Sequence, residues 1–372
     1  MKKPLGIYIH IPFCIRKCKY CDFLSAPSCP KERSDYVESL CEKIRSYEEF
    51  AKAYRVVSIF VGGGTPSVLE SKQMEEIFCA IKETFKLSDD TEITVEMNPG
   101  TVTSEKLRVY RECGVNRLSI GLQSVNNHEL KALGRIHTYE EFLKTYQMAR
   151  EAGFENINID LISAIPHQTV ESWRETLKKV VELEPEHISA YSLIIEEGTP
   201  FYERYGEGEH DDELPSEEDE RQMYHDTREI LASYGYERYE ISNYAKPGYE
   251  CRHNIGYWER CEYLGIGVGA ASLIGNERWS FDDSLNVEPE VEVLSTENEM
   301  EEFMFLGLRK IQGVSKKKFE ETFGVPIKEV YGEVISTMKD KGLLEEVDEY
   351  IRLTEDGIDV SNYMMSEFLL DV

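Results

Sequence analysis

The first 200 residues alternate between short apolar runs and longer amphipathic stretches. The apolar runs are rich in Val, Ile and Tyr and lie near turn residues, which predicts β-strands. The amphipathic stretches repeat at helical spacing, and several follow helix-start signals such as Thr103-Ser104-Glu105. The predicted strands are Gly6–Ile11, Val56–Val61, Glu92–Met97, Arg117–Leu122, Asn156–Ile162 and His187–Ile195. The predicted helices cover approximately residues 33–53, 70–86, 103–112, 139–152 and 170–183.

This alternation predicts an α/β fold built from parallel β/α units with right-handed crossovers. Because a closed (β/α)8 barrel needs eight strands, six strands would form an open, partial (β/α)6 TIM-like barrel. A doubly wound sheet is the alternative that the pattern leaves open. In both architectures the reactive groups gather beyond the carboxyl ends of the strands.

The pattern changes twice after the sixth predicted strand. Residues 206–220 hold nine acidic side chains and lead into a predicted helix over 216–234, whereas residues 236–296 look irregular. From residue 297 onward, three helical segments and a hairpin resemble a winged-helix module. The predicted divisions are a barrel over 1–205, an extension with the acidic loop over 206–296, and a small α+β winged-helix-like domain over 297–372.

The net charge of the chain argues against some classes of function. The net charge is 42 − 71 = −29, which argues against binding to nucleic acid because the phosphate backbone is also negative. The winged-helix-like segment is acidic too, with 9 basic and 16 acidic side chains over residues 301–372. No apolar run reaches the ~18 residues of a membrane span. No long apolar region follows Lys2 and Lys3, so we expect a cytoplasmic protein.

Three of the nine cysteines lie together after the first predicted strand. Cys14, Cys18 and Cys21 have the spacing C-x3-C-x2-C. Three thiolates can hold three irons of a [4Fe–4S] cluster and leave the fourth iron open to a ligand. A zinc site completed by Cys29 or His10 is the alternative.

Glycine and polar residues follow the next strands. Gly62-Gly63-Gly64-Thr65-Pro66 lacks Cβ atoms over three positions, so its backbone can approach a carboxylate closely. Glu96 suits a cationic amine or a ribose, and Arg135 suits a carboxylate. Gln123 and Asp160 lie on the fourth and fifth strands. Each of these polar residues also has an ordinary structural alternative, such as an ion pair.

These motifs resemble the radical S-adenosylmethionine (SAM) superfamily. The segments Tyr8–Cys14, Val95–Pro99 and Ile120–Ser124 are similar to its oxygen-independent coproporphyrinogen III oxidase (HemN) branch. The resemblance implies a partial (β/α)6 barrel, a [4Fe–4S] cluster on the three clustered cysteines, and SAM chelated to the fourth iron. It implies that the SAM site is lined by Tyr8, Tyr20, Gly63, Gly64, Thr65, Glu96, Gln123, Arg135 and Asp160.

Two groups within this branch differ in function. The oxidases carry a fourth cysteine two positions after the third, where this chain has Phe23. They also have a long extension ahead of the first strand, which begins here almost at once. The heme chaperones of the branch share the motif that reads His253-Asn254-Ile255-Gly256-Tyr257-Trp258 in this chain. The resemblance to them implies that His253 ligates heme iron and that heme passes to an acceptor protein.

Several alternatives stay open at this point. His253 can instead be a hydrogen-bonded core histidine, and Cys251 or Cys261 can contact the heme. The alternative functions are SAM-dependent oxidative decarboxylation of coproporphyrinogen III and radical chemistry on another substrate. The expected partners are heme and an acceptor protein, without nucleic acid. A peripheral contact with membrane-bound acceptors and a homodimer are also open.

Overall fold

A computed structural model describes residues 2–208, 210–282 and 284–370 and has six parallel strands at its centre. These strands are β1 (Lys3–Ile11), β2 (Tyr54–Gly63), β3 (Leu87–Met97), β4 (Arg117–Gln123), β5 (Ile157–Ser163) and β6 (His187–Ser192). Their order in space follows their order in the chain, and every neighbouring pair is parallel. A doubly wound sheet reverses its strand order, so the barrel-like prediction is confirmed.

Helices connect these strands. They are α1 (Pro30–Ser46), α2 (Glu48–Ala51), α3 (Ser71–Thr84), α4 (Ser104–Glu112), α5 (Asn127–Ala132), α6 (Tyr139–Glu151), α7 (Val170–Val181) and α8 (Pro200–Tyr205). Capping boxes at Thr138 and Thr169 fix the starts of α6 and α7, because each side chain accepts from the backbone three residues on. The helix predicted over 33–53 is broken at Tyr47, where ψ is 12°. The six-residue helix α5 was not predicted, since it is too short for a clear period.

The register brings the carboxyl ends of the strands to one side of the barrel. Ile11 pairs with Gly63 at the end of β1 and β2, and Met97 pairs with Ile120 between β3 and β4. The pairing of β4 with β5 shifts between Gly121 and Gln123, and Gln123 has a positive φ of 74°. Such an irregularity turns the side chains at a strand end in a new direction.

Residues 236–296 are not irregular, which corrects the prediction. They form β7 (Glu237–Arg238), β8 (Asn243–Ala245), β9 (Tyr263–Ile266), β10 (Ala271–Ile274), β11 (Glu277–Ser280) and β12 (Glu292–Val293). The described strands give the order β12-β11-β10-β9-β1-β2-β3-β4-β5-β6-β8-β7, so both edges are extended and the sheet is open. Strands of two to four residues are too short to show an alternating pattern.

Two further helices belong to this extension. The first is α9 (Glu217–Ser233), which confirms the helix predicted after the acidic loop, and the second is α10 (Arg252–Trp258). The apolar side chains of α9 join the same hydrophobic core as the barrel, through Met223 and Leu231. The extension therefore packs as part of the barrel and not as a separate core.

A small C-terminal domain has its own hydrophobic core, centred on Met304, Phe319 and Tyr331. Its helix–strand–helix–helix–hairpin order and three-stranded antiparallel sheet match the winged-helix-like prediction. Within the described residues, no helix is long and apolar enough to cross a membrane. The elements are α11 (Thr296–Gly307), β13 (Val314–Ser315), α12 (Lys316–Phe323), α13 (Ile327–Asp340), β14 (Leu344–Val347), β15 (Tyr350–Leu353), α14 (Glu355–Asp359) and α15 (Ser361–Ser366).

Candidate functional site

The carboxyl ends of the strands open into a cavity of about 370 Å³, which we call the outer cavity. The loop between β1 and α1 places the three clustered cysteines on its wall, and the ends of β2 to β6 supply the rest. Of the thirteen predicted site residues, eleven line it: Cys14, Cys18, Tyr20, Cys21, Gly63, Gly64, Thr65, Glu96, Gln123, Arg135 and Asp160.

Two of the cysteine sulfurs accept hydrogen bonds from the opposite wall. The Thr65 hydroxyl donates to the Cys14 Sγ, and the Arg135 Nη1 donates to the Cys18 Sγ, each at 3.7 Å. Hydrogen bonds and nearby positive charge stabilise thiolate sulfur and tune iron–sulfur clusters.

The three thiols of the cysteine loop line one cavity. Across residues 2–208, 210–282 and 284–370, no three His, Cys, Asp or Glu side chains converge closely enough to hold one ion. A cubane cluster places each thiolate on a separate iron, so its ligands can be spread around a wall. Three thiolates that line one cavity can serve as ligands to three irons of such a cluster.

Glycine is required beside the cysteine loop. Gly63 has a φ of 105°, and a Cβ there would lie 2.5 Å from Cε1 of His10. A Cβ on Gly64 would lie 2.6 Å from the carbonyl oxygen of Phe13. Side chains at these positions would push the end of β2 away from the cysteine loop.

Arg135 is held by a short relay of polar groups. Its Nη2 donates to the Asn98 Oδ1 at 2.5 Å and to the Gly121 carbonyl at 2.6 Å, and the Asn98 amide donates to the Thr65 hydroxyl at 2.8 Å. The Arg135 Nε is buried without a partner in the described structure. This free donor suits the carboxylate of a ligand. Asn98 lies in the motif after β3 but was not among the predicted site residues.

Two acids, Glu96 and Asp160, line both cavity regions at the strand ends. Burial, and then repulsion from Asp160, raise the pKa of Glu96 to about 8, although the Gly63 N–H donates to its Oε2 at 3.2 Å. Burial also raises the pKa of Asp160, which accepts from Ser119 and Asn158 at 2.9 and 2.8 Å. These carboxyl groups can pair with a cationic amine or accept from ribose hydroxyls. Ser119 and Asn158 were not predicted as site residues, because neither belongs to a recognisable motif.

A second cavity of about 220 Å³, the inner cavity, adjoins the first. It contains the two remaining predicted residues, Tyr8 and His253, so the structure places Tyr8 away from the cysteines. The cavities are continuous, since both are lined by Phe23, Gly63, Glu96, Ser119, Asp160 and Tyr191.

His253 lies on the first turn of α10 and is only 3% exposed. Its Nδ1 is 2.9 Å from the Ser58 hydroxyl, its Nε2 is 3.0 Å from the Tyr257 hydroxyl, and its ring stacks on Phe60. Burial, followed by the charge of Arg117, lowers the pKa of His253 to about 3. The imidazole is therefore neutral at physiological pH, as metal ligation requires. Its role as a heme ligand stays a prediction.

The two cysteines that flank this motif differ in environment. Cys251 is fully buried at the start of α10, and its thiol is 3.6 Å from the Glu92 Oε1. Burial raises the pKa of Cys251 to about 12, so its thiol is protonated. Cys261 is exposed. Both remain untested as heme contacts.

Two family models match separate parts of the chain. Residues 8–180 match the Radical SAM superfamily, and residues 294–360 match the HemN C-terminal domain. The structure of coproporphyrinogen III oxidase (HemN) from Escherichia coli superimposes with a TM-score of 0.85 over 99% of this chain and 90% of that chain. Sequence identity in that pair is 24%, so the likeness shows a shared fold.

Relatives named heme chaperone HemW are similar along the whole chain. The Lactococcus lactis protein is 40% identical, with 100% of this chain and 99% of the relative covered. The Bacillus subtilis protein is 35% identical, with 97% and 98% covered, and the Escherichia coli protein is 34% identical, with 99% of both covered. From this full-length similarity and the shared barrel, we conclude that the chain belongs to the HemW family within the radical SAM superfamily.

Proposed function

We propose that this protein is a heme chaperone on a radical SAM scaffold, which binds heme and transfers it to an acceptor protein. The observation that carries the proposal is the full-length similarity to relatives named heme chaperone HemW. The position of the His253 helix beside the cysteine-lined cavity supports it. In this proposal the outer cavity holds the cluster and SAM, and the inner cavity faces the heme.

In the outer cavity, Cys14, Cys18 and Cys21 would ligate three irons of a [4Fe–4S] cluster. The cluster, when reduced, supplies one electron for cleavage of SAM. The unpartnered Arg135 Nε would donate to the carboxylate of SAM, and Glu96 would face its cationic groups. The remaining predicted residues, Tyr20, Gly63, Gly64, Thr65, Gln123 and Asp160, form the rest of the wall, and Tyr8 contributes from the inner side.

In the inner cavity, we assign heme-iron ligation to the His253 Nε2. The Ser58 hydroxyl hydrogen-bonds to Nδ1 and holds the ring in orientation, as groups bonded to the far nitrogen of metal-ligating histidines do. The Nε2 must exchange its hydrogen bond to Tyr257 for the iron. The inner cavity of about 220 Å³ is smaller than the roughly 300–1,000 Å³ of cofactor pockets, so in this proposal α10 moves outward when heme binds.

Phe23 supports the chaperone over the oxidase. It occupies the position of the oxidase's fourth cysteine, lines both cavities and is 62% exposed. A phenyl ring offers no metal ligand, but it gives an apolar surface to a flat macrocycle. Transfer in the cytoplasm, a contact with membrane-bound acceptors and a homodimer remain predictions.

A heme titration of the anaerobic, reconstituted protein tests this function, with the Soret band as the readout. We expect saturable binding that weakens at least about tenfold in His253→Ala, since a ligand to iron is lost. Tyr257→Phe should bind heme as tightly as the wild type or more tightly, because it frees Nε2 while keeping the ring. His128→Ala, at an exposed histidine, is the control. Binding that is unchanged in His253→Ala contradicts the ligand assignment.

A further inference from the structure

Arg117 is a buried charge with no direct partner. It begins β4, is 2% exposed, and lines the inner cavity beside His253 and Asn254. Its Nε is buried without a hydrogen bond, and no carboxylate in the described part of the chain forms an ion pair with it. A buried guanidinium without a partner is costly, since it loses its hydration and gains nothing in return.

The nearest acid, Glu92, is engaged elsewhere. Its two oxygens accept from the backbone N–H groups of Arg252 and His253, each at 3.1 Å, and so anchor the first turn of α10. Its charge is close enough to favour the protonated form of Arg117, as is the thiol of Cys251 if ionised. Neither group forms a hydrogen bond to the guanidinium.

The acids on the cavity wall do not complete the site either. Asp160 already accepts hydrogen bonds from two neighbouring side chains, at 2.8 and 2.9 Å. Glu96 has a pKa raised to about 8 by burial and by Asp160, so it is mostly uncharged at neutral pH. Within the described residues, Arg117 is the one lysine or arginine that lines the inner cavity. The cavity therefore has a positive centre to which no carboxylate of the described residues is hydrogen-bonded.

The chemistry of a guanidinium limits the anion. Its planar fork of N–H groups matches a carboxylate in a two-point hydrogen bond. A cavity of about 220 Å³ that opens into a larger one has room for a short carboxylate arm beside Arg117, and a whole macrocycle would fit only once α10 has moved outward. Arg117 stands on β4 and not on α10, so it keeps its place if α10 moves.

We propose that Arg117 binds one propionate carboxylate of heme in the inner cavity. This inference rests on the proposed function and adds a second point of attachment to it. His253 would hold the iron from the face of the macrocycle while Arg117 holds a carboxylate at its edge. A small free carboxylate has the same chemistry, and the experiment separates the two sources.

The test compares hemin with hemin dimethyl ester, whose propionates are uncharged, in anaerobic Soret titrations. Wild type, Arg117→Gln and Arg117→Lys are measured. Arg238→Gln is the matched control, because the Arg238 side chain is 5% exposed but is paired with Glu355. Wild type and control should bind hemin at least about tenfold more tightly than the ester, the range of a charge-assisted pair. In Arg117→Gln the ratio should fall to about one, and Arg117→Lys should lie between.

Wild-type measurements cover the case in which Arg117→Gln fails to fold. Added sodium propionate should weaken the binding of hemin but not of the ester. If the wild type binds hemin and the ester equally tightly, the inference about Arg117 is overturned while heme binding itself stands. The same holds if folded Arg117→Gln keeps the wild-type ratio of hemin affinity to ester affinity. If propionate binds to the protein but leaves the affinity for hemin unchanged, the site binds free carboxylates, and the inference is again overturned. Failure of the wild type to bind either porphyrin contradicts the proposed function itself.

Discussion

The side chains of the outer cavity hold one another in place. Thr65, Asn98 and Arg135 form a continuous chain of hydrogen bonds that ends on two cysteine sulfurs. Such preorganisation lets a ligand bind without first ordering the wall. Spacing alone indicated the cysteines, and strand ends indicated Glu96. Asn98 could not be assigned, because its role depends on a partner 37 residues away.

Asn98→Ala tests this chain. The substitution removes the amide oxygen that Arg135 contacts at 2.5 Å, so the guanidinium loses its orientation. We expect SAM affinity, measured by equilibrium dialysis, to fall about tenfold. Iron content after reconstitution should not change, since all three thiols remain. Asn127→Ala, at an exposed position, is the control. Equal loss of iron and SAM would show that Asn98 supports the loop and does not position Arg135.

Glu96 makes a prediction about pH. Burial and Asp160 raise its pKa to about 8 in the fold, against about 4.3 in an unfolded chain. The folded state then holds the proton more tightly, so stability falls as pH rises between these values. Glu96→Gln removes this penalty. In urea unfolding of the apoprotein, we expect the variant to gain on the order of 4 kcal/mol over the wild type between pH 5 and 9.

The gain should be absent in Glu38→Gln, an exposed substitution. A difference between Glu96→Gln and the wild type that stays constant from pH 5 to 9 would contradict the raised pKa. A difference that shrinks with rising pH would mean that the fold lowers the pKa of Glu96 instead of raising it.

At the scale of elements, α10 connects the inner cavity to the C-terminal domain. The Arg309 guanidinium lies 4.4 Å from the centre of the Trp258 ring, at the end of α10. Beyond the helix, Glu259 pairs with Lys310 at 2.9 Å and Arg260 pairs with the buried Glu302 at 2.8 Å. Glu92 anchors the opposite end of the helix. We call these contacts at the two ends of the helix the α10 clamp. If α10 moves to admit heme, the α10 clamp must loosen.

Arg309→Ala should loosen it selectively. We expect faster amide hydrogen exchange over residues 252–261 and faster association with heme, because the cation–π contact with Trp258 is lost. Arg238→Ala is the control, since Arg238 also joins the barrel to the C-terminal domain but through Glu355. Exchange over 252–261 that rises equally in both variants would indicate general loosening of the domain contact. If amide exchange over 252–261 rises in neither variant, the proposed role of the α10 clamp is contradicted.

In the whole molecule, the sequence predicted the six central strands of the barrel but not the short strands that extend the two edges of the sheet. Long strands such as β4, buried along its whole length, give apolar runs that one sequence reveals. The short strands β7 to β12 do not, because their pairing depends on edges left by β1 and β6. The inner cavity could not be predicted from the sequence either, since it forms only where α10 meets the barrel. Partners distant in the chain create these features, and local pattern does not encode them.

The most direct measurement of the central claim is heme transfer. The reconstituted protein is loaded anaerobically with one equivalent of heme, in the presence of SAM, and mixed with the apo form of a hemoprotein that has a distinct Soret band. We predict that the acceptor gains the heme and that His253→Ala, whose heme affinity is at least about tenfold lower, delivers little beyond the free-heme control. If heme stays on the wild-type protein, or transfers no better than free heme, the chaperone function is contradicted.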